Sequence, residues 1–293
     1  MKNRFKLLLV VIGFTSVLFS CKKKEDDVAT TPTYNLVFKY HFDSTQVRLN
    51  NFGQPTGIPA GHGAQSPHFN LMSSHYVELA PDSLTLLGGG KVLYRAPETM
   101  MGGDLAIDFS KSVNAGEGQS FLTVPLKNIT AGTYKWLRIS LAYQNYTIKL
   151  RSSGYNLNGT IASFIGFNTY ISHFYPRNQD VVVNANRLQG YWAFEIDTLG
   201  FNQVYQGQAP GTTVPNPLSA TSPIPAGSCV VTGAFDQPLI ITGNETKNIV
   251  INVSLSVNNS FEWTDAAGDN VFELPMDTVV DMGIRGVIPY VIY

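Results

Sequence analysis

The chain has 293 residues, a net charge of −1, 14% charged and 12% aromatic residues. This balance excludes an electrostatic case for binding DNA, RNA or anionic lipid. The low charge, against about 25% in average globular chains, is made up by residues that suit strands and turns.

Met1–Arg4 is basic at Lys2 and Arg4, and Leu7–Phe19 is apolar. A basic start and a short apolar core form a secretory signal, too short for a spanning helix of about 20 residues. Leu18-Phe19-Ser20-Cys21 resembles a lipobox, the site where a bacterial lipoprotein is cut and its new N-terminal cysteine acylated. Residues 1–20 are therefore read as a lipoprotein signal peptide and Cys21 as the lipidation site. Phe19 is bulkier than the usual residue at −2. Lys22-Lys23-Lys24-Glu25-Asp26-Asp27 looks like the charged tag of Bacteroidota-type surface lipoproteins. Residues 21–33 are read as a charged, then Thr/Pro-rich, tether. Lys at +2 carries no inner-membrane retention signal. The reading is an outer-membrane lipoprotein exposed at the cell surface, with the periplasmic face as the alternative. Firm anchoring follows from the multiple acyl chains on such a cysteine. With Cys21 acylated only Cys229 remains, so no intramolecular disulfide forms. Cys229 reads as a small buried hydrophobe.

The rest, 34–293, is read as one all-β domain, a β-sandwich of about a dozen mostly antiparallel strands with long loops and little helix. Tyr34–Phe42 is a strand with Phe38, Tyr40 and Phe42 on one face. Asn50–Asn70, rich in Gly, Pro and His, is a long loop. His75–Leu79 is a strand, Asp82–Leu87 a turn of helix, and Gly88-Gly89-Gly90-Lys91 a turn without the spacing of a phosphate loop. Lys91–Arg95, Leu105–Phe109 and Ser120–Leu126 are further strands. Thr133–Tyr143 and Tyr146–Arg151 alternate and read as a hairpin closed by Gln144-Asn145. Ile161–Tyr175 is one long bent strand or two, and Gly190–Asp197 another. Residues 206–227 form a Pro-rich surface loop. Pro238–Thr242 pairs with Asn248–Val257 across Gly243-Asn244. The acids of Asp265–Asn270 lack the spacing of an EF loop, so that stretch reads as a polar loop. Asp277–Gly283 is a short helix, and Gly286–Tyr293 the last strand.

There is no G-x-S-x-G, H-E-x-x-H or C-x-x-C, and the chain reads as non-enzymatic. Four of the five histidines, His41, His62, His68 and His75, fall within the first 75 residues. Imidazole suits copper and zinc, so these four are the candidate metal ligands, with solvated or hydrogen-bonded histidines as the alternative. No pair has a local chelating spacing, so only the fold can bring them together. Trp136, on the polar face of its strand, is a candidate platform for stacking a sugar.

The order of blocks Val37–Phe42, Phe69–Leu79, Ala131–Arg138 and Gln189–Glu195 resembles the MbnP-like family of exported proteins, named for a partner in methanobactin copper handling. Ala131-Gly132-Thr133-Tyr134 matches that family's Ala-Gly-Thr-Tyr block, although Ile129-Thr130 stand where it has Pro. The resemblance implies a β-sandwich, copper binding through histidine, and a redox or transport partner protein. His41 and His75 are then the best-placed ligands. The alternative function is a surface module that captures a glycan or a protein without metal.

Overall fold

The computed structural model describes residues 33–50, 52–198, 201–209 and 222–293. The signal peptide, Cys21 and residues 22–32 of the tether lie outside the described residues, as do residues 210–221 of the Pro-rich stretch. Thr33–Tyr293 forms one compact unit.

The expected all-β class is met, with 19 strands among the described residues where about a dozen were expected. In chain order they are β1 Asn35–Asp43, β2 His62–Gln65, β3 His68–Ala80, β4 Lys91–Arg95, β5 Glu98–Thr99, β6 Ala106–Asp108, β7 Ser120–Pro125, β8 Gly132–Ser152, β9 Tyr155–Phe164, β10 Asn168–Phe174, β11 Val181–Leu188, β12 Tyr191–Thr198, β13 Phe201–Gln208, β14 Cys229–Ile241, β15 Ile249–Ser256, β16 Phe261–Thr264, β17 Glu273–Leu274, β18 Thr278–Met282 and β19 Val287–Ile292. Two short 3-10 turns, Phe109–Lys111 and Leu126–Asn128, are the only helical pieces among the described residues.

The strands form three layers. The first sheet has the order β19-β15-β1-β7. Its inner positions, Leu36, Phe38 and Tyr40 of β1 and Ile249, Ile251, Val253 and Leu255 of β15, are fully buried or nearly so. They meet Leu137, Ile139, Tyr146 and Ile148 of the second sheet in one continuous core. Each such side chain contributes about 1.5–3 kcal/mol relative to leaving it in water. The second sheet runs β13-β12-β9-β8-β3-β4, with β14 and β17 also paired to β8, and curls into a half-barrel. Its outer face is covered in turn by the small sheet β11-β10-β6-β5. There Tyr143, Phe164 and Tyr191 pack on Ile171, Phe174 and Val181.

This third layer explains the largest departure from the sequence reading. Thr133–Tyr143 and Tyr146–Arg151 are not a hairpin but one strand of 21 residues, β8. Gln144 and Asn145 lie buried in its middle. Gln144 donates to the carbonyl of Met282 and Asn145 to that of Pro176. The apolar phase slips by one residue because β3 and β8 pair with bulges between Phe69 and Leu71, Ser73 and Ser74, and Ser74 and Tyr76. Near the slip β8 also changes neighbour, from β14 up to Leu141 to β9 from Tyr143 onward.

Two further expectations are corrected. Asp277–Gly283 is not a helix; Thr278–Met282 pairs with β16 as a strand. Pro238–Thr242 does not pair with Asn248–Val257. β14 pairs with β8, and β15 runs parallel to β1. Ile161–Tyr175 resolves into β9 and β10.

A polar groove at His62

β2 and β16 pair antiparallel within a three-stranded sheet, β18-β16-β2. The register sets His62 opposite Thr264 and Ala64 opposite Glu262. His62 and Glu262 are thus diagonal neighbours on one face, within reach of long side chains. The other face carries Phe261 and Trp263, both buried in the core. Gly63 lies under the indole of Trp263, where a Cβ would come within 2.5 Å of the ring. Only glycine lets β2 lie flat on that tryptophan.

Glu262 is buried and hydrogen-bonds two partners, with Arg285 3.9 Å away. One carboxylate oxygen takes His62 Nδ1 at 2.6 Å; the other takes the buried Arg48 guanidinium. Arg48 also donates to the carbonyl of Gly57 at 2.9 Å, which ties down the loop before β2. Asp281, opposite Glu262 on β18, pairs with Arg285. Burial raises the Asp281 carboxyl above its ordinary pKa against the pull of Arg285, and the charge of Glu262 adds to the rise.

His62 lines a groove of about 450 Å³ together with Ile58, Gly61, Asn259, Asp265 and Asn270. The wall formed by residues 265–270 holds its own shape. Asp265 accepts the amides of Gly268 and Asn270 at 2.8 and 2.7 Å. Asn270 in turn accepts the amide of Ala64 at 2.9 Å. Asn259 and Asn270 both have positive φ, +48° and +55°, a conformation Asn tolerates better than most residues. A carboxylate on Nδ1 favours the tautomer with the proton there and leaves Nε2 as an acceptor for a ligand. The named walls offer hydrogen-bonding groups and one aliphatic side chain. The one carboxylate among them, Asp265, is engaged by the two loop amides.

The sequence reading passed over Glu262 and Arg48. The one local sign was an acid between two aromatics in Phe261-Glu262-Trp263, a carboxylate on a strand whose alternate positions are core. Two other buried glutamates were missed as well, and both hold loops. Glu78 accepts the amides of Gly88 and Gly90 at 3.0 and 2.7 Å, with Arg138 3.6 Å away. Arg138 also holds the carbonyls of Thr85 and Leu86. The glycine-rich turn is therefore fastened onto β3, and residues 82–87 form turns in place of the expected helical turn. Glu195 accepts the amides of Arg177, Asn178 and Gln179.

The four predicted metal ligands are not brought together. His41 bonds Glu117 at 2.6 Å on the outer side of β1. His62 bonds Glu262, and His68 is exposed at the start of β3. His75, fully buried, bonds Glu98 at 2.9 Å and packs on Phe167. Among the described residues no three His, Cys, Asp or Glu side chains are grouped to hold a metal ion. This donor set does not fit a copper centre. Trp136 is half-buried in β8, flanked by Ala80 and Ala234, away from the groove. Cys229 is held in the core margin, where burial and the nearby Asp281 push its thiol up to about 12. No helix among the described residues is long and apolar enough to cross a membrane. No protein-family model, curated protein or solved structure matches the chain.

Proposed function

We propose that this chain is a lipid-anchored module of the outer-membrane surface that binds a polar ligand, a glycan in the first instance, in the groove at His62, without catalysing a reaction. The observation that carries this reading is the fixing of His62 by the buried Glu262–Arg48 pair at the wall of a polar groove. A histidine held this firmly presents one nitrogen in one direction, and a ligand that binds it does not first have to order the ring. The self-capped 265–270 loop fixes the opposite wall in the same way. Hydrogen-bonding groups aimed at a hydroxyl-rich ligand, with the one wall carboxylate, Asp265, already taken by loop amides, suit recognition. The copper reading implied by the MbnP-like resemblance has less support, because the histidines are spread over separate carboxylates.

The test is binding of Thr33–Tyr293 to a glycan array, followed by calorimetry on any hit, for the unaltered domain and for His62→Ala. The expected result is a glycan bound by the domain and lost in the variant, with both unfolding at closely similar temperatures. A blank array, or equal binding by the two proteins, overturns the reading.

A further inference from the structure

The described chain begins beside β1, with the Tyr34 carbonyl accepting the amide of Leu126 at 2.9 Å and the Asn35 amide donating to the Asn248 side chain at 2.8 Å. Around this point the outer face of the first sheet is apolar across three strands. Val37 of β1 stands opposite Val250 of β15, which stands opposite Ile292 of β19. Tyr290, the next outward position on β19, stands opposite Asn252 and borders this row. Ile240 of β14 adjoins it, its amide donating to the Tyr293 hydroxyl at 3.0 Å. Ile240, Ile292 and Tyr293 are half-exposed. Farther along the same face the pairs turn polar: Lys39 opposite Asn252, and His41 opposite Ser254. The apolar character is therefore confined to the end where the chain enters.

We propose that this patch docks on the lipid bilayer to which Cys21 is anchored, so that the domain lies on the membrane with its entry end inward. The inference rests on the lipoprotein reading. Three observations select a bilayer as the occupant. The stretch from Cys21 to Thr33 spans at most about 40 Å when fully extended, so an acylated Cys21 keeps the patch within reach of lipid. Tyrosine rings beside aliphatic side chains suit the boundary between headgroups and acyl chains, and the Tyr293 hydroxyl is already satisfied by the Ile240 amide and the Pro238 carbonyl. A partner adding a strand is disfavoured, because β14 lies along β19 and the Val291 amide already donates to Asp236 at 3.1 Å. The attraction is apolar and needs no anionic lipid, in keeping with the net charge of −1.

The experiment uses the native acylated chain in phosphatidylcholine vesicles, with an environment-sensitive fluorophore at Ile292→Cys and, in a separate protein, at Met101→Cys. Met101 is exposed on a loop of the outer layer. Both proteins also carry Cys229→Ser, because Cys229 is only half-buried and would take the label. A parallel arm holds Thr33–Tyr293 on the same vesicles by an N-terminal hexahistidine and nickel-chelating lipid. Spin-labelled lipid is expected to quench the label at 292 and spare the label at 101. Adding Tyr290→Ser and Ile240→Ser reduces that quenching severalfold. An unquenched label at 292 in both arms overturns the proposal. So does shielding of that label that grows with protein concentration without vesicles, which shows a second copy on the patch. A native chain without acyl mass on Cys21, beside quenching in the hexahistidine arm, removes the anchor reading and leaves the docking surface standing.

Discussion

Three buried glutamates have different partners, and the difference separates architecture from recognition. Glu195 accepts the backbone amides of a neighbouring loop, and Glu78 accepts two loop amides beside the buried Tyr76 hydroxyl and Arg138, with no open space at either. Glu262 is satisfied by two side chains, one of which borders open space. His75 is the counter-example among the histidines. It has no exposed surface, its Nε2 faces Glu98, and its Nδ1 is buried without a hydrogen-bond partner. Burial depresses its pKa below the ordinary value near 6.5, against the opposing pull of Glu98. The unfolded chain therefore binds more protons than the folded one between that depressed pKa and about 6.5, and stability rises with pH across this window. The expected outcome is a urea midpoint that falls as pH drops from 7 toward 5, with a shallower fall in His75→Gln. Equal slopes in the two proteins count against a buried neutral His75. The histidines stood out in the sequence, but their partners did not. Glu117, Glu98 and Glu262 lie 76, 23 and 200 positions from His41, His75 and His62. No local spacing encodes such pairs.

At the scale of elements, legibility followed the number of buried faces. β1 and β15, each with one face in the core, show the alternation expected of half-buried strands and were read correctly. β8 is buried on both faces from Leu137 to Tyr146, and a phase slip at a bulge looks in one dimension like a turn. Gln144 and Asn145 strengthened that impression, since the carbonyls they bond belong to distant segments. The outer sheet was equally hidden, because its cover over β8 depends on long-range packing. That sheet also carries an energetic consequence. Its core cluster is small, and Val182 and Leu188 of β11 remain exposed at its edge. Opening it leaves the main core between the other two sheets intact. Native-state hydrogen exchange is expected to show the amides of β10 and β11 opening at a lower free energy than those of β1 and β15. A common opening energy for all four strands makes the three layers one cooperative unit and sinks this expectation.

At the scale of the molecule, β1 has its two ends in different places. Its nine residues, at about 3.3 Å each, separate the ends by about 30 Å. The chain enters at Asn35. At the other end Asp43 leads within five residues to Arg48, and the Asp43 carbonyl receives the amide of Val257 just before β16. The groove thus belongs to the end remote from the entry point, and under the proposed anchoring at Cys21 it faces away from the membrane. This arrangement asks only that Cys21 be the attachment. Replacing residues 1–21 with a signal peptide cut by the ordinary signal peptidase tests that requirement, because the exported chain then begins at Lys22 without a lipid. The native chain is expected in the outer-membrane fraction with acyl mass on Cys21, and the exchanged chain in the soluble fraction. Docking through apolar side chains alone gives weak, reversible binding, since two acyl chains contribute about 0.8 kcal/mol per buried methylene and the patch has only a few half-exposed side chains. Retention of the exchanged chain on membranes after washing therefore shows an attachment other than Cys21. Glycan binding by the two chains is expected to be equal, because the groove and the anchor share no residue. A loss of binding on exchange places part of the ligand site in residues 21–33.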